Sequence, residues 1–316
     1  MYFDAHSDIW NDVTRRRMAG ERQVFRDHHL RRLRQGGCEG GVLAIWVERE
    51  YQGRDWERTC QIMQCVSQEA AESRDFRIVS NTREMRQAAA EGLFYALPGA
   101  EGLAAIGDEI SGIDEYYEFG VRLVMLTWNE VNALAAGAAS GETTGLTEAG
   151  RRAVQRIWDL GMVLDVSHLN EAGFWDIIRM AGGPVVASHS NCRALCDVPR
   201  NLTDDQLRAI RDTGGVVGVN AYRGFVSPDR QRQTVEQLAL HVLHMAEVMG
   251  VDHVGCGFDF CEMLPGGSTA DNPRGLEDCS HVPDFFRCLE TLGFSREERE
   301  KIARGNFLRV LEQVLG

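Results

Sequence analysis

The chain has 316 residues, 44% of them apolar and 26% charged, with a formal net charge of -13 at pH 7. That is the make-up of a soluble globular protein with ample chain for a core, and its acidity excludes nucleic acid as a partner, because phosphates demand a positive footprint. One lysine, Lys301, stands among 34 cations, so Schiff-base, P-loop and carbamyl-lysine chemistry are removed and any reaction must come from His, Asp, Glu, Cys or Ser.

In chain order, short apolar runs alternate with amphipathic stretches. The expected strands are Tyr2–Asp8, Gly41–Val47, Phe94–Glu101, Val121–Trp128, Met162–His168, Pro184–His189, Val216–Tyr222 and His253–Phe260. Between them, Trp56–Ala71, Ile113–Phe119, Glu148–Leu160, Ala172–Met180, Asp204–Thr213 and Val235–Met249 read as helices. Thr203 with Gln206, and Ser295 with Glu298, have the spacing of capping boxes. Eight strands alternating with helices predict an α/β protein, a (β/α)8 TIM barrel forming a single domain over 1–316. Residues 53–89 read as a helical insert before strand three, and 261–281 as a Gly/Pro-bearing loop after the last strand. The basic clusters Arg15–Arg17 and Arg31–Arg32 read as solvated faces. No run approaches the roughly 18 apolar residues that span a bilayer. Nine cysteines lack any Cys-x-x-Cys pair, so a cytoplasmic protein with reduced thiols and no membrane partner is expected. A homodimer is the expected assembly.

Catalytic groups of such barrels gather at the C-terminal ends of the strands. Those ends carry His6, Asp8, Glu101, His168, His189 and Asp259. His6 and Asp8, two apart on a strand, project to one face. Three imidazoles and three carboxylates suit two divalent ions: His6 and Asp8 for one, His168 and His189 for the other, with Glu101 bridging. A shared water would then ionise near neutral pH, and Asp259 is left as general base and acid. No Gly-x-Ser-x-Gly elbow supports a serine nucleophile at Ser188 or Ser190.

The chain resembles the membrane (renal) dipeptidases, zinc metallopeptidases of the amidohydrolase superfamily. The matching stretches are Asp4-Ala5-His6-Ser7-Asp8, Glu101-Gly102, Gly120-Val121-Arg122, Ser167-His168, Ser188-His189-Ser190, Arg200-Asn201-Leu202-Thr203-Asp204, Gly257-Phe258-Asp259-Phe260 and Gly305-Asn306-Phe307-Leu308-Arg309-Val310. The resemblance implies two zinc ions on His6, Asp8, Glu101, His168 and His189, with Asp259 as the catalytic aspartate. It further implies Arg200 as the receptor of the substrate's carboxylate and a dipeptide of L-Xaa-L/D-Xaa type as substrate, cleaved by a metal-bridged hydroxide. Three positions depart from the family's pattern. Trp128, followed by Asn129, stands where better-known members carry an oxyanion-supporting histidine. Asp259-Phe260-Cys261-Glu262 replaces Asp-Phe-Asp-Gly. Tyr222 and Phe225 displace a tyrosine past strand seven. Trp128, Asn129 and Tyr222 are therefore candidate substrate-binding residues. The alternatives are a zinc amidohydrolase for N-acyl-amino acids or cyclic amides, and a catalytically silent metal-binding homologue.

Overall fold

Valine- and leucine-rich runs bounded by glycine become strands buried on both faces, the pattern of a helix-covered parallel sheet. The computed structural model describes residues 1–316. Its strands are β1 (Tyr2–Ser7), β2 (Cys38–Trp46), β3 (Phe76–Ile78), β4 (Phe94–Glu101), β5 (Leu123–Met125), β6 (Val163–Asp165), β7 (Val185–Val186), β8 (Val217–Val219) and β9 (Val254–Cys256). All pair in parallel. Eight of them fall in the expected runs. The ninth, β3, lies inside the stretch expected to be wholly helical, between helices Asp55–Glu72 and Thr82–Ala90. Its period-two pattern is only three residues long, too short to distinguish from a helical turn until pairing with β4 defines it.

The sheet runs β1-β2-β4-β5-β6-β7, with β3 beside the first half of β4 and β5 beside the second. β8 and β9 form a separate ladder. A parallel bridge between Ala187 and Val217 joins that ladder to the β7 edge. At the other seam, Asp259 N–H reaches the His6 carbonyl at 3.3 Å and Phe258 N–H donates to the Asp4 carboxylate at 2.9 Å. The sheet is therefore curled, and the carboxyl ends of its strands share one rim. Two glycines let the last strands close in. A Cβ at Gly218 would lie 2.0 Å, and one at Gly257 1.7 Å, from the carbonyl oxygen of Ser188, so both positions need a residue without a side chain.

Alternate strand residues face two separate cores. Leu43, Ile45, Val124, Leu164, Val217 and Val254 meet the surrounding helices in the larger cluster. Phe3, Val42, Leu97, Met125, Val163 and Val186 form the smaller one. Phe307, Val310 and Leu311 of the helix Asn306–Leu315 complete it, plugging the end opposite the site. Both capping boxes are present, at Thr203–Gln206 and Ser295–Glu298. The Arg15–Arg17 cluster is not wholly solvated: Arg17 is buried against Glu69 at 2.5 Å and Glu72 at 3.0 Å. No helix is long and apolar enough to cross a membrane.

Candidate metal centre and active site

Each candidate reaches the rim by a different local device. His6 lies within β1, Asp8 just beyond it, and Glu101 is the last residue of β4. His168, His189 and Asp259 each stand three residues past the ends of β6, β7 and β9. There the backbone must turn sharply to send a side chain over the mouth. His168 (φ 66°) and Asp259 (φ 58°) accordingly adopt left-handed conformations, a strain of about 1–2 kcal/mol per residue of the kind that collects at functional sites.

The rim brings all six groups together, and all are buried except Asp259, which is partly accessible. His6 Nε2 lies 3.6 Å from Glu101 Oε2 and 3.7 Å from both Asp8 Oδ1 and Asp259 Oδ1. The other oxygen, Glu101 Oε1, lies 2.8 Å from His168 Nε2 and 3.7 Å from His189 Nε2. The His6 and His189 rings are 3.9 Å apart, and those of His168 and His189 4.9 Å. Two groups have ligand atoms mutually within 4.8 Å: His6 with Glu101 and His189, and His6 with Asp8 and Asp259.

A surrounding set of polar groups orients these side chains. His168 Nδ1–H donates to Asn129 Oδ1 at 3.0 Å, which leaves the Nε2 lone pair facing Glu101. The Ser188 hydroxyl holds His189 Nδ1 at 2.7 Å. Asp165 in turn accepts the backbone N–H groups of Ser167 and Ser188. Asn220 Nδ2 donates to Asp259 Oδ2 at 2.9 Å, and the Cys261 thiol rests 3.4 Å from Asp259 Oδ1. Asn220 and Asp165 were not singled out from the sequence, and Ser188 was weighed there only as a nucleophile. Asn220 directly follows β8, so the reading of strand ends that found the ligands could have found it too.

Arg200 is buried beside His189, with long contacts at 3.4 Å to the Ser190 hydroxyl and 3.3 Å to the His189 carbonyl. Its Nε has no partner. The nearby acids are engaged elsewhere, Asp204 by His244 and Asp205 by Arg208. Trp128 packs its ring against Trp46 at 5.3 Å and beside His168 at 6.1 Å. A cavity of about 530 Å³ opens there, lined by Glu101, Trp46, Trp128 and Asn129 among others. Tyr222 stands apart from this cavity, 41% exposed and packed on Phe225.

Burial pushes the Glu101 and Asp259 carboxyls up from their ordinary range, and neighbouring Asp8 adds to both. Burial alone would lower His6, but Glu101, Asp8 and Asp259 override it and push the imidazole up. His168 and His189 are driven well below the ordinary histidine range by burial, with Arg200 and His6 adding to it. Those two rings are therefore neutral ligands-in-waiting. The Nε2 atoms of His6, His168 and His189 and Asp8 Oδ1 are buried without hydrogen-bond partners. Unpaired lone pairs converging on carboxylate oxygens are costly in protein alone. A divalent cation resolves that cost, so the residues present fit a metal.

The chain is 34% identical over 268 residues to an uncharacterised protein of Klebsiella pneumoniae encoded in the pqqA 5′ region, covering 82% of this chain and 95% of that one. It is 31% identical over 318 residues to an uncharacterised dipeptidase of Schizosaccharomyces pombe, covering 95% and 74%. A Rhodobacter sphaeroides metallopeptidase, solved with a phosphinate mimic of the dipeptide L-Ala-D-Ala, superposes with a TM-score of 0.89 over 99% of each chain at 27% identity. Residues 1–315 match the family described as membrane dipeptidase (peptidase family M19), and the chain belongs to that family of hydrolases.

Proposed function

We propose that the protein is a binuclear zinc dipeptidase built on a single-domain (β/α)8 barrel and acting on L-Xaa-L-Xaa and L-Xaa-D-Xaa dipeptides. The observation that carries this reading is a pairing. Three partnerless imidazole nitrogens converge on the carboxylates at the rim, and beside them lies a buried guanidinium without a carboxylate partner.

Glu101 turns Oε2 to His6 and Oε1 to His168 and His189. Together with Asp8, these four residues would hold the two ions. The mixed nitrogen and oxygen donors suit zinc. When bound, the ions supply Lewis acidity toward the scissile carbonyl and a water that ionises near neutral pH. Asp259, held by Asn220, takes the proton of the attacking water and delivers it to the leaving amine. Arg200 clamps the substrate's terminal carboxylate through its planar fork, which restricts substrates to short peptides. Asn129 holds His168 in the ligating tautomer, Trp128 walls the amino-terminal side of the substrate, and Tyr222 borders the mouth past β8. The phosphinate-bound bacterial relative supports a D-residue in the carboxyl-terminal position.

The deciding experiment is amino-acid release from a panel of L,L- and L,D-dipeptides by the zinc-reconstituted protein, with His168→Ala as the blank. Cleavage that the blank abolishes is expected. Silence across the panel with two ions bound per chain would overturn the reading. The indole-walled cavity beside Glu101 favours a second one, hydrolysis of N-acyl-amino acids. That reading predicts faster release from N-acyl substrates than from any dipeptide.

A further inference from the structure

We infer that the cavity bounded by Trp46 and Trp128 is the side-chain pocket for the substrate's amino-terminal residue, and that it selects a large apolar, above all aromatic, side chain there. This rests on the dipeptidase reading and names its substrate class.

Position comes first. The cavity is formed by the segments that follow β2, β4 and β5 and is bordered by Glu101, whereas Arg200 follows β7 and lies against His189. A dipeptide whose carboxylate meets Arg200 and whose amide lies over the ligands at Glu101 carries its amino-terminal residue to the cavity side. About 530 Å³ is far more room than a glycine or alanine needs there.

Chemistry comes second. The two indoles stand 5.3 Å apart and tilted by 54°, presenting ring faces and edges suited to a third aromatic ring. Val131, also on the lining, is 54% exposed, an apolar side chain that nothing in the chain covers. Two of the acids on the lining are engaged within the chain. Glu48 is held by Arg58 at 2.6 Å, and Asp55 accepts the Gly53 N–H at 2.8 Å. The Arg49 guanidinium lies over the Trp128 ring, 4.9 Å from its centroid. A substrate gains here by replacing water on the indole surface that Arg49 leaves uncovered with apolar surface.

The test compares L-Phe-D-Ala, Gly-D-Ala, L-Arg-D-Ala and L-Glu-D-Ala on the zinc-loaded protein, reading Kd by calorimetry and kcat/KM by alanine release. L-Phe-D-Ala is expected to lead Gly-D-Ala by at least about tenfold in both. Trp46→Ala should bring the two within a few-fold of each other. Val131→Asp, a change at an exposed rim position with little folding risk, should narrow the gap as well. Equal values for the phenylalanine and glycine peptides, or a lead for the arginine or glutamate peptide, would overturn the pocket's assignment while leaving the dipeptidase reading intact. Binding in the expected order without release of alanine would sink the dipeptidase reading and leave the pocket standing. Failure of all four to bind would overturn both.

Discussion

Replacing Arg200 with methionine removes the fork proposed to hold the substrate's carboxylate while keeping most of the buried stem. In the free protein the guanidinium makes two long hydrogen bonds, at 3.3 and 3.4 Å, both to neutral oxygens, and lies over the Phe225 ring at 5.5 Å. Burial holds its pKa down, to about 10. Removing an unpaired buried charge relieves its desolvation cost, so the substitution should leave stability unchanged or raise it. Bound substrate changes the account. Two charge-assisted hydrogen bonds at about 1.5–3 kcal/mol each are worth about 3–6 kcal/mol together, so kcat/KM should fall by roughly 10² to 10⁴. The assay compares a dipeptide with its carboxyl-terminal amide. Wild type should strongly prefer the free acid, and Arg200→Met should treat the two alike at the lower rate. Arg200→Lys, which keeps the charge without the fork, should fall between. The reasoning is refuted if wild type cleaves the amide as well as the acid, or if Arg200→Met leaves kcat/KM unchanged.

Four other outcomes can be checked. Asn129→Ala frees the His168 tautomer and should weaken zinc binding by about 10- to 100-fold in a chelator competition, with an unchanged circular dichroism spectrum. Asn220→Ala loosens Asp259 and should lower kcat by about tenfold or more while KM moves little, because proton transfer depends on a positioned carboxyl group. Gly257→Ala sets a Cβ against the Ser188 carbonyl and should cost about 1–3 kcal/mol of stability, seen as a lower Tm. His241 contributes one share of the pH dependence of stability. Its Nε2–H donates to the Val226 carbonyl and its Nδ1 accepts the Cys192 N–H, and burial holds its pKa down to about 4. Stability from this ring is full above the unfolded pKa of about 6.5 and is lost as pH falls from there to about 4, a total of about 3 kcal/mol. Urea unfolding at several pH values should show a shallower slope in His241→Gln than in wild type, the remainder coming from the other buried histidines, His168 and His189.

The candidate rim residues were legible because each stands at or just past the end of an apolar run. Leu164-Asp165-Val166-Ser167-His168 and Val185-Val186-Ala187-Ser188-His189 announce both a strand and a candidate ligand within five residues. Arg200 was legible through its spacing from His189 within a family motif. Asn220 was missed although it follows β8 directly, because an asparagine at a strand end signals a turn more often than a partner for a carboxylate. The contact of Asn129 with His168 was not foreseen: its side-chain oxygen is turned to that ring, while the residue also lines the cavity beside Trp128. Trp46 had no local mark at all, since an indole at the end of a buried strand reads as core.

Periodicity along the chain reports which face of an element is buried, and it does so over a few residues at a time. That was enough to determine the alternation of strands and helices and the residues standing at their carboxyl ends. Which of those residues share a mouth is a matter of closure. Only tertiary structure brings Asp259 N–H to the His6 carbonyl and Phe258 N–H to the Asp4 carboxylate, contacts between the two ends of the chain that depend on the register of every ladder between them. The left-handed turns at His168 and Asp259, the tautomer set by Asn129 and the wall of two indoles follow from that closure. Each is a contact between segments far apart in the chain, and no local pattern encodes it.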